Sequence, residues 1–487
     1  MPLEQKLERW LQQLWLLMSE HLAVYWPGWV AVVGFALAIA MMSHAVLNKR
    51  DPRSAAAWLG LIWLVPFVGS VLYLMMGVNR IQRRAQQLVG EDELFDIKSY
   101  TNKLATKPDS EHLLTLAELT ERLTGNPLLG GNRITPMDAP RAYASMLKAI
   151  DNAEESVFMT TYIFGNDSAG KPMVEALSRA VKRGVKVRVL VDGMGSLYSF
   201  PPVVRRMRRR RVTTERFLYS LAPWRMPYMN LRNHRKIMVV DRQVGFTGGM
   251  NIRAGYISSP PQTLDMHMKV EGPVVAHLLS SFTADWYFTR REGLNAAYAG
   301  SQQVGVTLAR GISAGPDADL GKRRLVLLAA IGSAQHEIRI MTPYFVPDQT
   351  LLTAIELAAL RGVRVQIILP QKNNMRFVHW ASMHLLPWLV NDGCEVYFVA
   401  PPFDHTKVMT VDGKWVMFGS GNWDARSLRL NFEFDVEAYD AHLAGQLNAQ
   451  INYRLQGAVR LNAHTVREKN YFKRLRNGLA YVLEPYL

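Results

Sequence analysis

Two short stretches of this chain hold the side chains best suited to work on a phosphodiester. The first is Asn233-His234-Arg235-Lys236, followed by Asp241, Gly248, Gly249 and Asn251. The second is Asp404-His405-Thr406-Lys407, followed by Asp412, Gly419, Ser420 and Asn422. His405, Lys407, Asp412 and Asn422 each lie 171 residues after their counterparts. A phosphodiester resists attack because its oxygens are already negative. Lys236 and Lys407 can offset that charge, and the amides of Asn251 and Asn422 can help to hold the phosphate. An imidazole, with a pKa of about 6.5, can be a neutral nucleophile or a protonated acid near neutral pH, so a matched pair can supply both. In an extended chain residues two apart face one way, which puts His234 with Lys236 and His405 with Lys407. One His-x-Lys is commonplace; a second copy with matched Asp, Gly and Asn is specific. His379 and His384 have no duplicate and read as structural.

The elements that must position these groups are themselves duplicated. Ala149-Ile-Asp-Asn-Ala returns as Ala330-Ile-Gly-Ser-Ala, and Met159-Thr-Thr-Tyr as Met341-Thr-Pro-Tyr. Arg183-Gly-Val-Lys-Val returns as Arg361-Gly-Val-Arg-Val. A near-constant shift means one unit used twice. Strands alternate with helices in each copy, which predicts an α/β fold with a mixed central sheet. Two α/β/α sandwich units, 131–305 and 306–487, are expected to meet about a pseudo-twofold axis, with one shared site between matching strand ends. Residues 79–130 read as a polar, mostly helical connector that ends in turn-rich Gly125-Asn-Pro and Gly130-Gly-Asn.

Two uncharged apolar runs, 24–47 and 55–78, stand near the N-terminus. Each is long enough to cross a bilayer as a helix. The charged link holding Lys49, Arg50, Asp51 and Arg53 predicts a transmembrane hairpin over 24–78. Before it, Leu3, Leu7, Trp10, Leu11, Leu14 and Met18 recur at helical spacing, as an amphipathic helix over 1–23 would require. Tyr471, Phe472, Leu475, Leu479 and Val482 show a similar pattern, read as a closing helix of the globular part. With two spans, Lys6, Arg9, Arg80, Arg83, Arg84 and Lys98 share one side, which favours a cytoplasmic catalytic part.

The formal charge of +16 points to an anionic partner, and both nucleic acid and anionic lipid fit that sign. The single cysteine, Cys394, excludes an internal disulfide, and no zinc-type cysteine spacing exists.

The paired motifs resemble the HKD motif of the phospholipase D superfamily. Within it, Leu231-Arg-Asn-His-Arg-Lys, Gly248-Gly-Met-Asn-Ile and Asp424-Ala-Arg-Ser-Leu-Arg-Leu-Asn-Phe-Glu433 are most similar to bacterial cardiolipin synthases. The resemblance runs from about residue 130 to 487, and the Asn48-Lys-Arg-Asp-Pro-Arg link and the Trp58–Gly77 segment extend it. It implies a phosphatidyltransferase of the inner membrane that joins two phosphatidylglycerols and releases glycerol. It implies a phosphatidyl-histidine intermediate on His234, with His405 as acid and base, a choice that spacing alone leaves open. No metal or other cofactor is called for, and the expected partners are anionic membrane lipids rather than nucleic acid. Each histidine also needs an acceptor to fix its tautomer. Glu433, 28 residues after His405, and Asp265, 31 after His234, are the candidates. Asp241 and Asp412 are expected to brace the site. A hydrolytic phospholipase D, a nuclease, transfer to another alcohol and a lipid-binding scaffold are the alternatives. Three departures stand out: Gly249 lacks the hydroxyl that Ser420 has, Asp404 adds a negative charge, and 205–211 is unusually basic.

Overall fold

The computed structural model describes all residues except 1–2, 50–51, 78–99, 103, 220–230, 295–299, 317–318, 463–469 and 484–487, and few side chains before Gly28. One compact unit is Met1–Arg80 with Leu221–Asn230; the other is Ile81–Ser220 with Leu231–Leu487.

In the first unit a single helix runs from Leu3 to Asn48, so the expected boundary near residue 23 is absent. The side chains of Leu3, Leu7, Leu11, Leu14 and Met18, which carried the amphipathic reading, lie outside the described residues. Gly28–Asn48, with a mean hydropathy of 2.2, is long and apolar enough to cross a membrane, and is the one such helix among the described residues. The run 55–78, expected as a second span, is not one helix. Pro52–Leu64 stops at Val65, Pro66–Leu72 follows, and a π turn covers Tyr73–Gly77. Pro66 has no N–H and restricts the residue before it, and Val65 accordingly leaves the helical region at φ −137°. Gly69 then lies so close to Leu61 that a Cβ on it would stand 2.7 Å from the Leu61 carbonyl oxygen. Residues eight apart in a straight helix are about 12 Å apart, so this run folds back on itself. Trp58, Ile62 and Tyr73 pack with Ala38 and Ala45 of the long helix, and His44 Nδ1 is 2.8 Å from the Tyr73 hydroxyl.

Among the described residues, the second unit is built on one large mixed sheet and two separate two-stranded sheets. The first repeat supplies β1 (Leu129–Asp138), β2 (Ser156–Thr161), β3 (Lys186–Asp192), β4 (Thr213–Phe217), β5 (Arg232–Asn233), β6 (Ile237–Val240), β7 (Val244–Gly248), β8 (Thr263–Leu264) and β9 (Met266–Glu271). The second supplies β10 (Thr307–Ala314), β11 (Glu337–Met341), β12 (Phe345–Val346), β13 (Arg364–Pro370), β14 (Glu395–Val399) and β15 (Phe403–Asp404). It ends with β16 (Val408–Val411), β17 (Trp415–Gly419), β18 (Trp423–Asp424), β19 (Asn431–Tyr439) and β20 (Val459–Arg460). Outward from the middle, the order is β1-β9-β7-β6-β2-β3-β4 on one side and β10-β19-β17-β16-β11-β13-β14 on the other. The two series match strand for strand. Their centre is the antiparallel pair β1–β10, where a twofold relation between the halves is natural.

Helices cover both faces, which is why β2, β6 and β16 are buried along their whole length. On one face of β2, Val157 and Met159 pack under Ala139–Asp151 and Gly170–Lys182. On the other, Phe158 stacks on Phe282 of Val275–Arg290 at 5.4 Å. A third cluster joins the repeats: Ile237, Val239, Met268 and Val270 pack with Val408, Phe418, Phe434 and Val436. The expected connector is partly core. Leu113, Leu116 and Ala117 of the helix Glu111–Thr124 pack with Val326 and Leu327 of the second repeat. Gly130 and Gly131 lie inside β1, at an irregularity in its pairing with β10, rather than in a turn.

Candidate active site

His234 and His405 sit in short links between strands, not within strands as expected. Residues 234–236 join β5 to β6, and 405–407 join β15 to β16. Each link is stitched to the opposite repeat. β5 pairs with β19, and His234 N donates to Phe432 O at 2.9 Å. β15 pairs with β8, and His405 N donates to Leu264 O at 2.7 Å. The backbone therefore delivers each histidine to the other repeat's edge.

The side chains complete the exchange. His234 Nδ1 lies 2.9 and 3.0 Å from the Glu433 carboxylate oxygens, and His405 Nδ1 lies 2.9 Å from Asp265 Oδ2. The two carboxylates are brought to the site, each against the histidine of the other repeat. Lys236 Nζ donates to His234 O at 2.5 Å and Lys407 Nζ to His405 O at 2.7 Å. Lys407 Nζ is also 3.1 Å from both ring nitrogens of His405, so it sits over that ring.

The two carboxylates are shifted in opposite directions. Glu433 accepts from Ser420 Oγ at 2.5 Å and Asn431 Nδ2 at 3.0 Å. Burial raises its pKa, but His234, Lys236 and Ser420 outweigh that and hold it down at about 2. Asp265 lacks the hydroxyl because Gly249 stands where Ser420 does. Burial pushes its carboxyl well above the usual range, and Asp404 adds to the rise. Asp265 Oδ1 has no hydrogen-bond partner among the described residues. A Cβ on Gly249 would lie 2.5 Å from Asp265 Oδ2, so the shorter carboxylate fills the space that a side chain there would take. Burial, then Lys236, lower His234 to about 4 against the pull of Glu433. Burial, Lys407, Lys236 and His234 hold His405 well below its ordinary value. Lys407 is lowered to about 8 by burial, and Lys236 is lowered by burial and by Lys407. These mutual effects place both His-x-Lys pairs within electrostatic reach of each other.

Asp241 and Asp412 are not at the site. The first accepts from the backbone N–H groups of Glu154, Glu155 and Ser156 at 3.0, 2.8 and 2.8 Å. The second does the same for Gln335, His336 and Glu337 at 2.9, 2.7 and 2.9 Å. Four strand residues, about 13 Å, separate each from its lysine, so both fasten the far end of the strand. Asn251 accepts from Ile163 N at 3.2 Å, and its Nδ2 is 3.4 Å from the Tyr256 hydroxyl, itself 3.3 Å from His405 Nδ1. Asn422 Nδ2 lies 3.3 Å from Ser427 Oγ, and its Oδ1 has no partner among the described residues.

Asp404 is neutralised by Arg454 Nε at 2.6 Å. Around 205–211, Val203, Val204 and Met207 are buried while Arg206 and Arg210 meet Glu175 and Arg208 meets Glu215. That run is largely an ion-paired surface helix.

Sequence reasoning missed three groups. Tyr162 lies edge-on to His234 at 5.2 Å, and Tyr344 to His405 at 6.1 Å. They are counterparts in the Met-Thr-x-Tyr repeat, so the duplication held the signal. The buried Arg235 bonds Asp285 Oδ1 and Ser313 Oγ at 2.5 Å and the Glu433 carbonyl at 3.1 Å. Its counterpart is Thr406, so no repeat marked it. Around the tyrosines the surface is apolar. Tyr198, 6.2 Å from Tyr162, is exposed with Leu197 and Phe200. Asn374, which accepts from the Tyr344 hydroxyl at 2.8 Å, precedes the exposed Met375 and Phe377.

The family described as cardiolipin synthase, PLD-like domain matches residues 146–286 and 327–455. The chain belongs to this family. A second family, phospholipase D-nuclease N-terminal, matches residues 36–77. The cardiolipin synthase of Alkalihalophilus pseudofirmus is 30% identical over 97% of each chain. Cardiolipin synthase A of Pseudomonas putida is 30% identical over 95% of this chain and 99% of its own. A phosphatidylserine synthase from Haemophilus influenzae Rd KW20 shares the fold, with a TM-score of 0.59 at 15% identity over 77% of this chain and all of its own.

Proposed function

We propose that this chain makes cardiolipin from two phosphatidylglycerols, through a phosphatidyl group held on His234. The crossed His–carboxylate pairs carry the reading, because each fixes one imidazole of a shared pair, and the opposite shifts of the two carboxylates suit two different tasks. Ionised Glu433 accepts the His234 Nδ1 proton, which leaves a lone pair on Nε2 for attack. Burial favours the protonated form of Asp265, and in this reading its proton is shared with His405 Nδ1, which leaves the other ring proton on Nε2. His234 Nε2 bonds to phosphorus, the bond from phosphorus to the glycerol oxygen breaks, and His405 Nε2 supplies that oxygen's proton while the Asp265 proton passes to Nδ1. A second phosphatidylglycerol then gives its hydroxyl proton to His405 Nε2 while the Nδ1 proton returns to Asp265, its oxygen bonds to phosphorus, and the P–N bond breaks. Lys236 and Lys407 offset the phosphate charge, with Asn251 and Asn422 as further donors. Asp241 and Asp412 brace the strands. The exposed aromatics beside Tyr162 and Tyr344 suit a lipid more than a nucleic acid.

The family supports a place in the bacterial inner membrane, anchored through Gly28–Asn48. Lys49, Arg50 and Arg53 follow that helix and only Lys6 and Arg9 precede it, a bias that favours a cytoplasmic catalytic unit. The test is turnover of labelled phosphatidylglycerol by the full-length protein in bilayers. Cardiolipin and glycerol are the expected products. Mostly phosphatidic acid would replace this reading with a hydrolase.

A further inference from the structure

The helix Tyr471–Val482 packs with the wrong side inward for a closing helix of a globular unit. Its contacts with the helix Arg376–Asn391 run through small and polar positions. Asn477 and Ala480 are buried, a Cβ on Gly478 would stand 3.6 Å from the His384 ring, and Tyr481 lies 5.2 Å from that ring. Arg476 lies over Trp380 at 4.5 Å. The apolar residues point away: Tyr471, Phe472, Leu475, Leu479 and Val482 are 48–77% exposed. At 3.6 residues per turn these five fall within an arc of about 100°, an unbroken stripe. Arg474 and Arg476 stand one at each edge of that arc, and the helix has no acidic residue.

An outward apolar stripe between basic edges matches the depth profile of an anionic bilayer surface, apolar below the headgroups and negative at them. We infer that this helix lies in the membrane interface, its stripe among the acyl chains and its arginines at lipid phosphates. It rests on the reading of the chain as an enzyme of bilayer lipid. Its consequence is local to the catalytic unit. The helix Arg376–Asn391 that it carries begins just after Asn374, which holds Tyr344 beside His405. Exposed Phe377 and Trp388 belong to that same helix. A docked Tyr471–Val482 therefore fixes the second repeat's lip of the site at the surface where its substrate lies.

Full-length protein in phosphatidylglycerol nanodiscs, spin-labelled at Leu475→Cys, Leu479→Cys or Lys473→Cys, tests this. The native Cys394 is buried. Labels at 475 and 479 should be relaxed by oxygen and shielded from a water-soluble nickel complex, and the label at 473 the reverse. Labels at 475 and 479 open to nickel would overturn the inference. So would shielding from both reagents with spin–spin broadening, which would mean a second copy covers the stripe. The double variant Leu475→Glu/Leu479→Glu should lower turnover in phosphatidylglycerol bilayers about tenfold. It should leave turnover of monomeric short-chain phosphatidylglycerol unchanged. Equal loss in both assays would also count against a surface role. No cardiolipin from the unaltered protein in either assay would strike the proposed function instead.

Discussion

His234 and Glu433 are 199 residues apart in the chain, yet the imidazole Nδ1 and the carboxylate lie 2.9 Å apart. His405 and Asp265 repeat the relation at the same distance. Neither half-site is complete within its own repeat. The shared centre is thus a consequence of the pairing of β5 with β19 and β15 with β8.

The two carboxylates should respond differently to amide replacement. Glu433→Gln removes the ionised acceptor that sets the His234 tautomer, and turnover should fall about 10³–10⁴-fold. Asp265→Asn keeps a donor at His405 Nδ1 but has no proton to pass to it, and the loss should be about 10²-fold. Acid-quenched reactions with labelled phosphatidylglycerol should show the phosphatidyl adduct in the second variant and not in the first. Equal losses would mean that the two carboxylates play one role.

Gly249→Ala should act through Asp265. The new Cβ would meet both carboxylate oxygens, at 2.5 and 2.6 Å, and displace the group that orients His405. A drop in kcat of about 10²-fold is expected, with KM little changed. Ser420→Ala removes a donor to Glu433 and the acceptor of the Phe434 N–H and should cost about tenfold. Wild-type kcat in Gly249→Ala would show that Asp265 has room to move.

Acid sensitivity should trace in part to His277. Its Nδ1 accepts from Gly311 N at 3.1 Å, and burial, then Arg310, lowers its pKa from 6.5 to about 3. The folded state therefore prefers neutral His277. The unfolded chain binds its proton as pH falls below 6.5, so this contribution is full above 6.5 and is lost towards pH 3. His277→Gln keeps an acceptor and has no proton to bind. From pH 7.5 to 5 the wild type should lose ~2 kcal/mol more than the variant. Thermal midpoints in detergent at the two pH values would show it. Parallel losses would remove His277 as a cause.

Arg235→Ala should destabilise the catalytic unit by roughly 3–5 kcal/mol, because Asp285 would be left charged and buried beside it. Asp285→Ala in the same chain should recover part of that loss. A double-variant cycle on denaturation midpoints measures the coupling. Strict additivity of the two losses would show that the pair is not coupled.

The amino-acid sequence by itself determined which side chains do the chemistry and that the unit is used twice. Spacing within His-x-Lys and the repeated Met-Thr-x-Tyr are local properties of the chain, and self-similarity needs no fold to be visible. Glu433 and Asp265 were legible as candidates but not as crossed partners, since contact over such separations exists only once the two sheet halves pair. The spacing of Asp241 and Asp412 looked like part of the site. Only the strand between each of them and its lysine shows that they face the other end. The apolar spacing of Tyr471–Val482 was equally plain, but periodicity defines a stripe without saying what lies on either side of it. The Ala480 side took the helix Arg376–Asn391 as its partner, and packing alone left the stripe to the outside. At 55–78, hydropathy marked a span because it counts apolar side chains. The break at Pro66 and the close approach of Gly69 to Leu61 are backbone facts, which a sum over residue types does not contain.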